Sequence, residues 1–243
     1  MHTLPDDAIL SLPPMANSID NLVVVAHPDD EILGFGGTGA ALVARGESVQ
    51  PIILCGVVSA RTQRPSDHEL FVDIVAANSF VGFHEPVLGT FPNLKMNIIP
   101  HLELVQFIEA QLLAFQPRRI FTHHPRDLNE DHGIVARACL AAVRLGQRRS
   151  DVKMPQSVHC MEIPSSTDWA FPLQSPPFEP NLFVSIEQTL EQKIQALSCY
   201  RNVMREFPHP RSREVLQGLA AYRGGQSGLR FAESFQTVFQ QGL

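Results

Sequence analysis

The chain has no apolar run of membrane-spanning length, which excludes a transmembrane helix as the reading of any stretch. Its start, Met1-His2-Thr3-Leu4-Pro5-Asp6-Asp7, has no basic segment leading into an apolar core, so a secretory signal is not expected and a cytoplasmic location is. It has only four cysteines, Cys55, Cys139, Cys160 and Cys199, widely spaced and without a C-x-x-C pair. They read as small buried hydrophobes in a reducing compartment. It has no basic excess: a formal charge of −6 and no basic stripe argue against a nucleic-acid partner, and Arg144, Arg148 and Arg149 read as the solvated end of a helix. No internal repeat is present. With 44% hydrophobic and 18% charged residues, the composition excludes a disordered chain and fits an ordinary globular one.

What is present is an alternation of apolar strands and amphipathic helices over 243 residues, enough for one large α/β domain spanning 1–243 behind a proline-containing arm at 1–20. Strands are predicted at Val23 to Ala26, Val49 to Leu54, Pro86 to Leu88 and Arg119 to Thr122, with later ones near Val158 to Ile163 and Phe183 to Ile186. Helices are predicted after the first strand, from Ser66-Asp67, from Pro100, from Asp131-His132, and at 187–205 and 211–222. The repeated strand, helix, strand order predicts a Rossmann-like, doubly wound, mostly parallel sheet with C-terminal helices. Residues 150–180, rich in proline, read as a covering loop. The terminal segment to Phe239 reads as amphipathic, and Phe235, Val238 and Phe239 have little to pack on if the sheet is already covered, which predicts a homo-oligomer.

The chain is organised around Val23-Val24-Val25-Ala26-His27-Pro28-Asp29-Asp30-Glu31. The apolar run without alternation suits a strand covered on both faces, and Pro28 ends it by removing a ladder donor. One aspartate before a helix is ordinarily a cap. Three consecutive carboxylates beside an imidazole repel one another unless a cation neutralises them, so His27 and Asp30 are candidate ligands of one ion, with Asp29 facing its open side. In a sheet of order 3-2-1-4 the winding reverses between strands one and four, and ligands bind beyond their carboxyl ends. Those ends are Ala26 and Thr122, so the stretch after Thr122 meets the first motif across about a hundred residues of chain.

Ala26-His27-Pro28-Asp29-Asp30-Glu31, together with His124-Pro125-Arg126-Asp127-Leu128-Asn129-Glu130-Asp131-His132, resembles the two signature motifs of the PIG-L/LmbE family of zinc-dependent N-deacetylases. Pro208-His209-Pro210-Arg211-Ser212 and Arg223-Gly224-Gly225 resemble segments of its bacterial sugar-deacetylating members. The resemblance implies His27, Asp30 and His132 as ligands of Zn2+, with Fe2+, Co2+ or Mn2+ as alternatives, and Asp29 as the general base in hydrolysis of an N-acetyl group. It implies a small N-acetylated sugar as substrate, with inositols, malate, lipids, antibiotics or oligosaccharides as the group attached, and trimers or hexamers as the assembly. The chain departs from the family pattern at Asn129, where a further histidine is common. His124 and His209 are then the candidates for the oxyanion-stabilising imidazole, with Asp127 orienting either one. Arg64, Asp127, Asn129 and Arg211 are candidate substrate-binding residues.

Three rival readings arise from the same residues. Gly34-Phe35-Gly36-Gly37-Thr38-Gly39 matches the dinucleotide fingerprint G-x-G-x-x-G, but it does not directly follow the strand and lacks the acid at the end of the next one. Two histidines and a carboxylate also suit a non-haem iron enzyme. A metal-binding protein without turnover on the same fold is the third.

Overall fold

The computed structural model describes residues 18–56, 65–173 and 176–242. Arg64 and all but the end of the predicted arm lie outside the described residues. One seven-stranded sheet runs in the order β3-β2-β1-β4-β5-β7-β6, from β1 (Asn21–Val25), β2 (Val49–Ile53), β3 (Val87–Leu88), β4 (Arg119–Thr122), β5 (Ser157–Met161), β6 (Leu182–Ser185) and β7 (Ala232–Gln240). The first five strands in that order pair in parallel, and β7 is antiparallel to both neighbours. The winding therefore reverses between β1 and β4, as the order 3-2-1-4 requires.

The helices are α1 (Asp30–Val43), α2 (Asp67–Phe80), α3 (His101–Phe115), α4 (Glu130–Val143), α5 (Leu190–Cys199) and α6 (Arg213–Ser227). Local chemistry explains their starts. Ser66 and Glu69 form a reciprocal capping box at α2, Asn129 caps α4 by accepting from Asp131 N–H, and Ser212 caps α6 by accepting from Val215 N–H.

Every residue of β1 is buried because alternate side chains enter two cores. Val23 and Val25 join Ile53, Phe121 and Phe35 beneath α1, α2, α5 and α6, whereas Leu22 and Val24 join Ile52 and Ile120 beneath α3 and α4. This two-sided burial is the physical reason the strand sequence shows no polar alternation.

One expectation is revised. The terminal segment, expected to leave Phe235 little to pack on, is strand β7, inserted between β5 and β6. Phe235 is fully buried, with its ring 5.2 Å from Phe121 and 6.1 Å from Phe35. A nine-residue strand satisfies its backbone on two sides, which a packed-on segment cannot do. The glycine fingerprint lies within α1 and not on a phosphate-cradling turn, in line with the sequence context that argued against that rival. A Cβ on Gly34 would stand 2.8 Å from Ile163 Cδ1, so that glycine permits close approach of helix and sheet.

Candidate metal centre

β1 delivers the first half of the site. Past Val25, Ala26 N–H turns away from the ladder and donates to His123 Nε2 at 2.8 Å. Pro28 cannot donate, and Asp29 takes a left-handed conformation with φ 95° before α1 begins at Asp30. The turn closes on itself, with His27 N–H donating to Asp30 Oδ2 at 3.0 Å. β4 delivers the second half. His123 and His124 leave its end, Asp127 N–H donates to His124 O at 3.1 Å, and Asp127 Oδ1 accepts from Asn129 N–H at 2.8 Å. Asn129 then starts α4, whose first turn carries Asp131 and His132.

Three ligand-type atoms converge. His27 Nδ1 lies 3.2 Å from His132 Nε2 and 3.4 Å from Asp30 Oδ2, and His132 Nε2 lies 3.2 Å from Asp30 Oδ2. All three side chains are buried. Ligand bonds of about 2.0–2.1 Å at tetrahedral angles place neighbouring donor atoms about 3.3–3.4 Å apart, so the triangle has the size of one face of a zinc coordination sphere. The far nitrogens are held as well. His27 Nε2 is 2.9 Å from Asp131 Oδ2, and His132 Nδ1 is 3.2 Å from Asp127 Oδ2. Each carboxylate takes the proton-bearing nitrogen and leaves the other lone pair aimed into the triangle.

The carboxylates are anchored in turn. Asp131 accepts from Leu94 N–H at 2.6 Å and Met96 N–H at 3.1 Å, and Asp127 accepts from Thr167 Oγ1 at 2.8 Å and from the Ser166 hydroxyl. The electrostatics show what such a cluster does without a cation. Burial by itself would lower the His132 pKa, but the charges of Asp30 and Asp127 outweigh it and push it up to about 10. Burial likewise opposes ionisation of Asp30, yet the neighbouring imidazoles hold its carboxyl well below the usual range. The site therefore recruits positive charge, as a proton or as a metal ion.

A second grouping, His123 with Asp127 and His132, is also compact. It does not fit a metal. Because Ala26 N–H donates to His123 Nε2, the proton of this fully buried ring must sit on Nδ1, which is left without an acceptor among the described residues. Burial, followed by the nearby His132 charge, lowers its pKa to about 3, so the ring stays neutral and stacks on His132 with centroids 3.9 Å apart.

His27, Asp29, Asp30, Asn129, His132 and Arg211 line one cavity of about 370 Å³, in the size range of small-molecule sites. Three of its lining residues, Asp29 (φ 95°), Leu94 (φ 56°) and Ser165 (φ 64°), have left-handed backbones, a clustering of strain typical of functional sites. Arg211 Nη1 reaches Asp29 Oδ2 at 2.8 Å. Other expected residues lie elsewhere. Asp127 stands behind His132 and orients neither His124 nor His209. His124 turns from the cavity toward Gln236 and the Phe178 ring, 5.8 Å away. His209 is exposed, with Nδ1 accepting from Arg211 N–H at 3.1 Å. Sequence reasoning missed Asp131, His123, Ser166 and Thr167. Asp131 was legible only as an acid favouring a helix start, and His123 was hidden beside His124.

A family model described as GlcNAc-PI de-N-acetylase matches residues 22–143, from β1 to the end of α4. That span contains all three corners of the triangle and both carboxylates behind it. The chain belongs to the PIG-L family. No curated protein sequence matches it. Among solved structures, this PIG-L protein resembles the conserved protein TT1542 from Thermus thermophilus (TM-score 0.76, 24% identity, 93% of this chain and 97% of that one). It also resembles an N,N'-diacetylchitobiose deacetylase from Pyrococcus horikoshii (TM-score 0.71, 18% identity, 91% and 84%). A third is the 4-carboxy-2-hydroxymuconate hydratase GalB from Pseudomonas putida KT2440 (TM-score 0.74, 18% identity, 93% and 98%). At these identities the likeness is one of fold, and a deacetylase and a hydratase on the same fold show that the fold alone does not choose the reaction.

Proposed function

We propose that this PIG-L family protein is a metal-dependent hydrolase that removes the N-acetyl group from an N-acetylglucosamine-type sugar. The observation that carries the reading is the triangle of His27 Nδ1, Asp30 Oδ2 and His132 Nε2, with the Asp29 carboxylate on the same cavity wall. A divalent ion held by those three atoms, Zn2+ first and Fe2+, Co2+ or Mn2+ by the same donor chemistry, supplies an acidified water and a polarised amide carbonyl.

The protein's own groups do the rest. Asp29 takes a proton from the attacking water as its oxygen bonds to the amide carbon. It returns that proton to the nitrogen as the C–N bond breaks, so that amine and acetate leave. Arg211 fixes the Asp29 carboxylate through its 2.8 Å contact and is the lining side chain best placed to meet negative charge developing on the substrate. Asn129, Ser165 and Ser166 supply polar groups for sugar hydroxyls along the same wall. Asp127 and Asp131 hold the two imidazoles without touching substrate.

A panel of N-acetylated sugars, including N-acetylglucosamine and N,N'-diacetylchitobiose, tests the reading by acetate and free-amine release from Zn2+-loaded protein. Release that a chelator abolishes is expected, and no release from fully loaded protein across the panel refutes it. Elemental analysis of His132→Ala should show metal strongly reduced. We infer a cytoplasmic homo-oligomer as the setting, supported by four free thiols and by exposed Ile98, Leu102 and Trp169. Light scattering that finds a monomer at micromolar concentration removes the assembly.

A further inference from the structure

Asp29 stands where a helix cap belongs, yet its side chain makes no capping hydrogen bond to α1. Its carboxylate turns toward the cavity and Arg211, and the backbone adopts φ 95° and ψ −25° to allow this. Something must hold a non-glycine residue in that conformation. The holding group is Glu31. Its Oε2 accepts from Asp29 N–H at 3.1 Å, while its Oε1 accepts from the Tyr200 hydroxyl and from Asn78 Nδ2 at 2.9 Å. Asn78 is itself tied to Ile74 O of α2 at 2.9 Å. Glu31 is fully buried and Tyr200 nearly so. Burying a carboxylate is costly unless several donors meet it, and here the donors come from α2 and from the residue that ends α5.

We propose that Tyr200 and Glu31 are positioning residues that fix the Asp29 backbone, and through it the direction of the carboxylate that carries the proton. This rests on the reading of Asp29 as the base. The arrangement grips Asp29 from two sides, the main chain by Glu31 and the side chain by Arg211. Tyr200 and Arg211 both lie beyond residues 22–143, so the C-terminal part of the chain aligns a residue that the family-matched part supplies. Tyr200 shares a small second cavity with His27, Pro28 and Asp29, on the wall behind the base.

The test uses the full Zn2+-loaded chain with N,N'-diacetylchitobiose, or the most active sugar of the panel, and the variants Tyr200→Phe, Glu31→Gln and Asp29→Asn. Tyr200→Phe should retain metal and thermal stability close to the parent, speed amide hydrogen exchange in the peptide containing Asp29, and lower kcat about ten- to a hundredfold with KM within about twofold. Adding Tyr200→Phe to Asp29→Asn should cost no further activity, because both act through one carboxylate. Parent-like exchange and kcat in both Tyr200→Phe and Glu31→Gln overturn the proposal, as does a fully additive loss in the double variant. A parent-like Asp29→Asn instead overturns the reading of the base, a separate result. Hydrogen exchange needs no substrate, so the positioning role is tested even where turnover is slow.

Discussion

Asp131→Asn is the sharpest probe of how the candidate metal centre is built. Asp131 Oδ2 faces the ring nitrogen of His27 at 2.9 Å and Leu94 N–H at 2.6 Å, and Oδ1 faces Met96 N–H at 3.1 Å. An amide presents one NH2 in place of an oxygen. Turned either way, that NH2 meets a donor, so the variant loses the His27 anchor or the Met96 one. Loss of such an outer partner weakens metal binding by about 10- to 100-fold, or about 1.4–2.8 kcal/mol at 1.4 kcal/mol per decade. The assay is chelator-competition titration of Zn2+ at neutral pH, paired with thermal unfolding of the metal-free and metal-loaded forms. At a free metal concentration 1,000 times the parent Kd, binding stabilises the parent by about 4.1 kcal/mol. A hundredfold weaker site at the same concentration yields about 1.4 kcal/mol. The metal-free comparison separates any loss of packing from loss of affinity. Because the amide can keep the His27 contact by giving up Met96, Asp131→Ala is measured beside it, and a Zn2+ Kd within twofold of the parent in Asp131→Ala would refute the claim that Asp131 orients His27 as a ligand.

Asp29→Asn should keep the metal and the fold while kcat falls by about 10² to 10⁴, the usual contribution of a positioned base, and steady-state kinetics beside elemental analysis checks both halves. Phe35 is fully buried between α1 and the sheet, its ring 4.3 Å from that of Phe121. Phe35→Ala should therefore cost about 3–5 kcal/mol in urea unfolding, and a loss below about 1 kcal/mol would mean the core collapses around the hole. Burial, helped by the Arg119 charge, lowers the His159 pKa to about 4. The unfolded chain then binds a proton that the native state refuses between about pH 6.5 and pH 4, so stability falls with decreasing pH across that window by up to about 1.4 kcal/mol per unit. His159→Gln should flatten the slope, and an unchanged slope would assign it to other groups.

The sequence by itself determined whatever rests on neighbouring residues. Just past the end of β1, four adjacent positions, His27 to Asp30, carry a donorless proline, two ligand-type side chains and a carboxylate for the open side, so half of the candidate site was readable from local chemistry. The strand order through β4 was readable too, because strands alternating with helices in a parallel sheet admit few windings.

Which partner each group meets was decided only by tertiary structure. Adjacent side chains leaving a strand point to opposite faces, so a one-residue uncertainty in where β4 ends exchanges His123 for His124. Asp131 stands behind His27 because of how α4 is rotated against the end of β1, and Asp127 stands behind His132 because the turn before α4 folds back on it, and no spacing within either motif encodes that placement. The terminal segment became a strand only because β5 and β6 both offered it free backbone groups. Tyr200 reaches Glu31 across 169 residues of chain. Contacts that distant are set by how the helices pack on the sheet, which sequence periodicity near either residue does not carry.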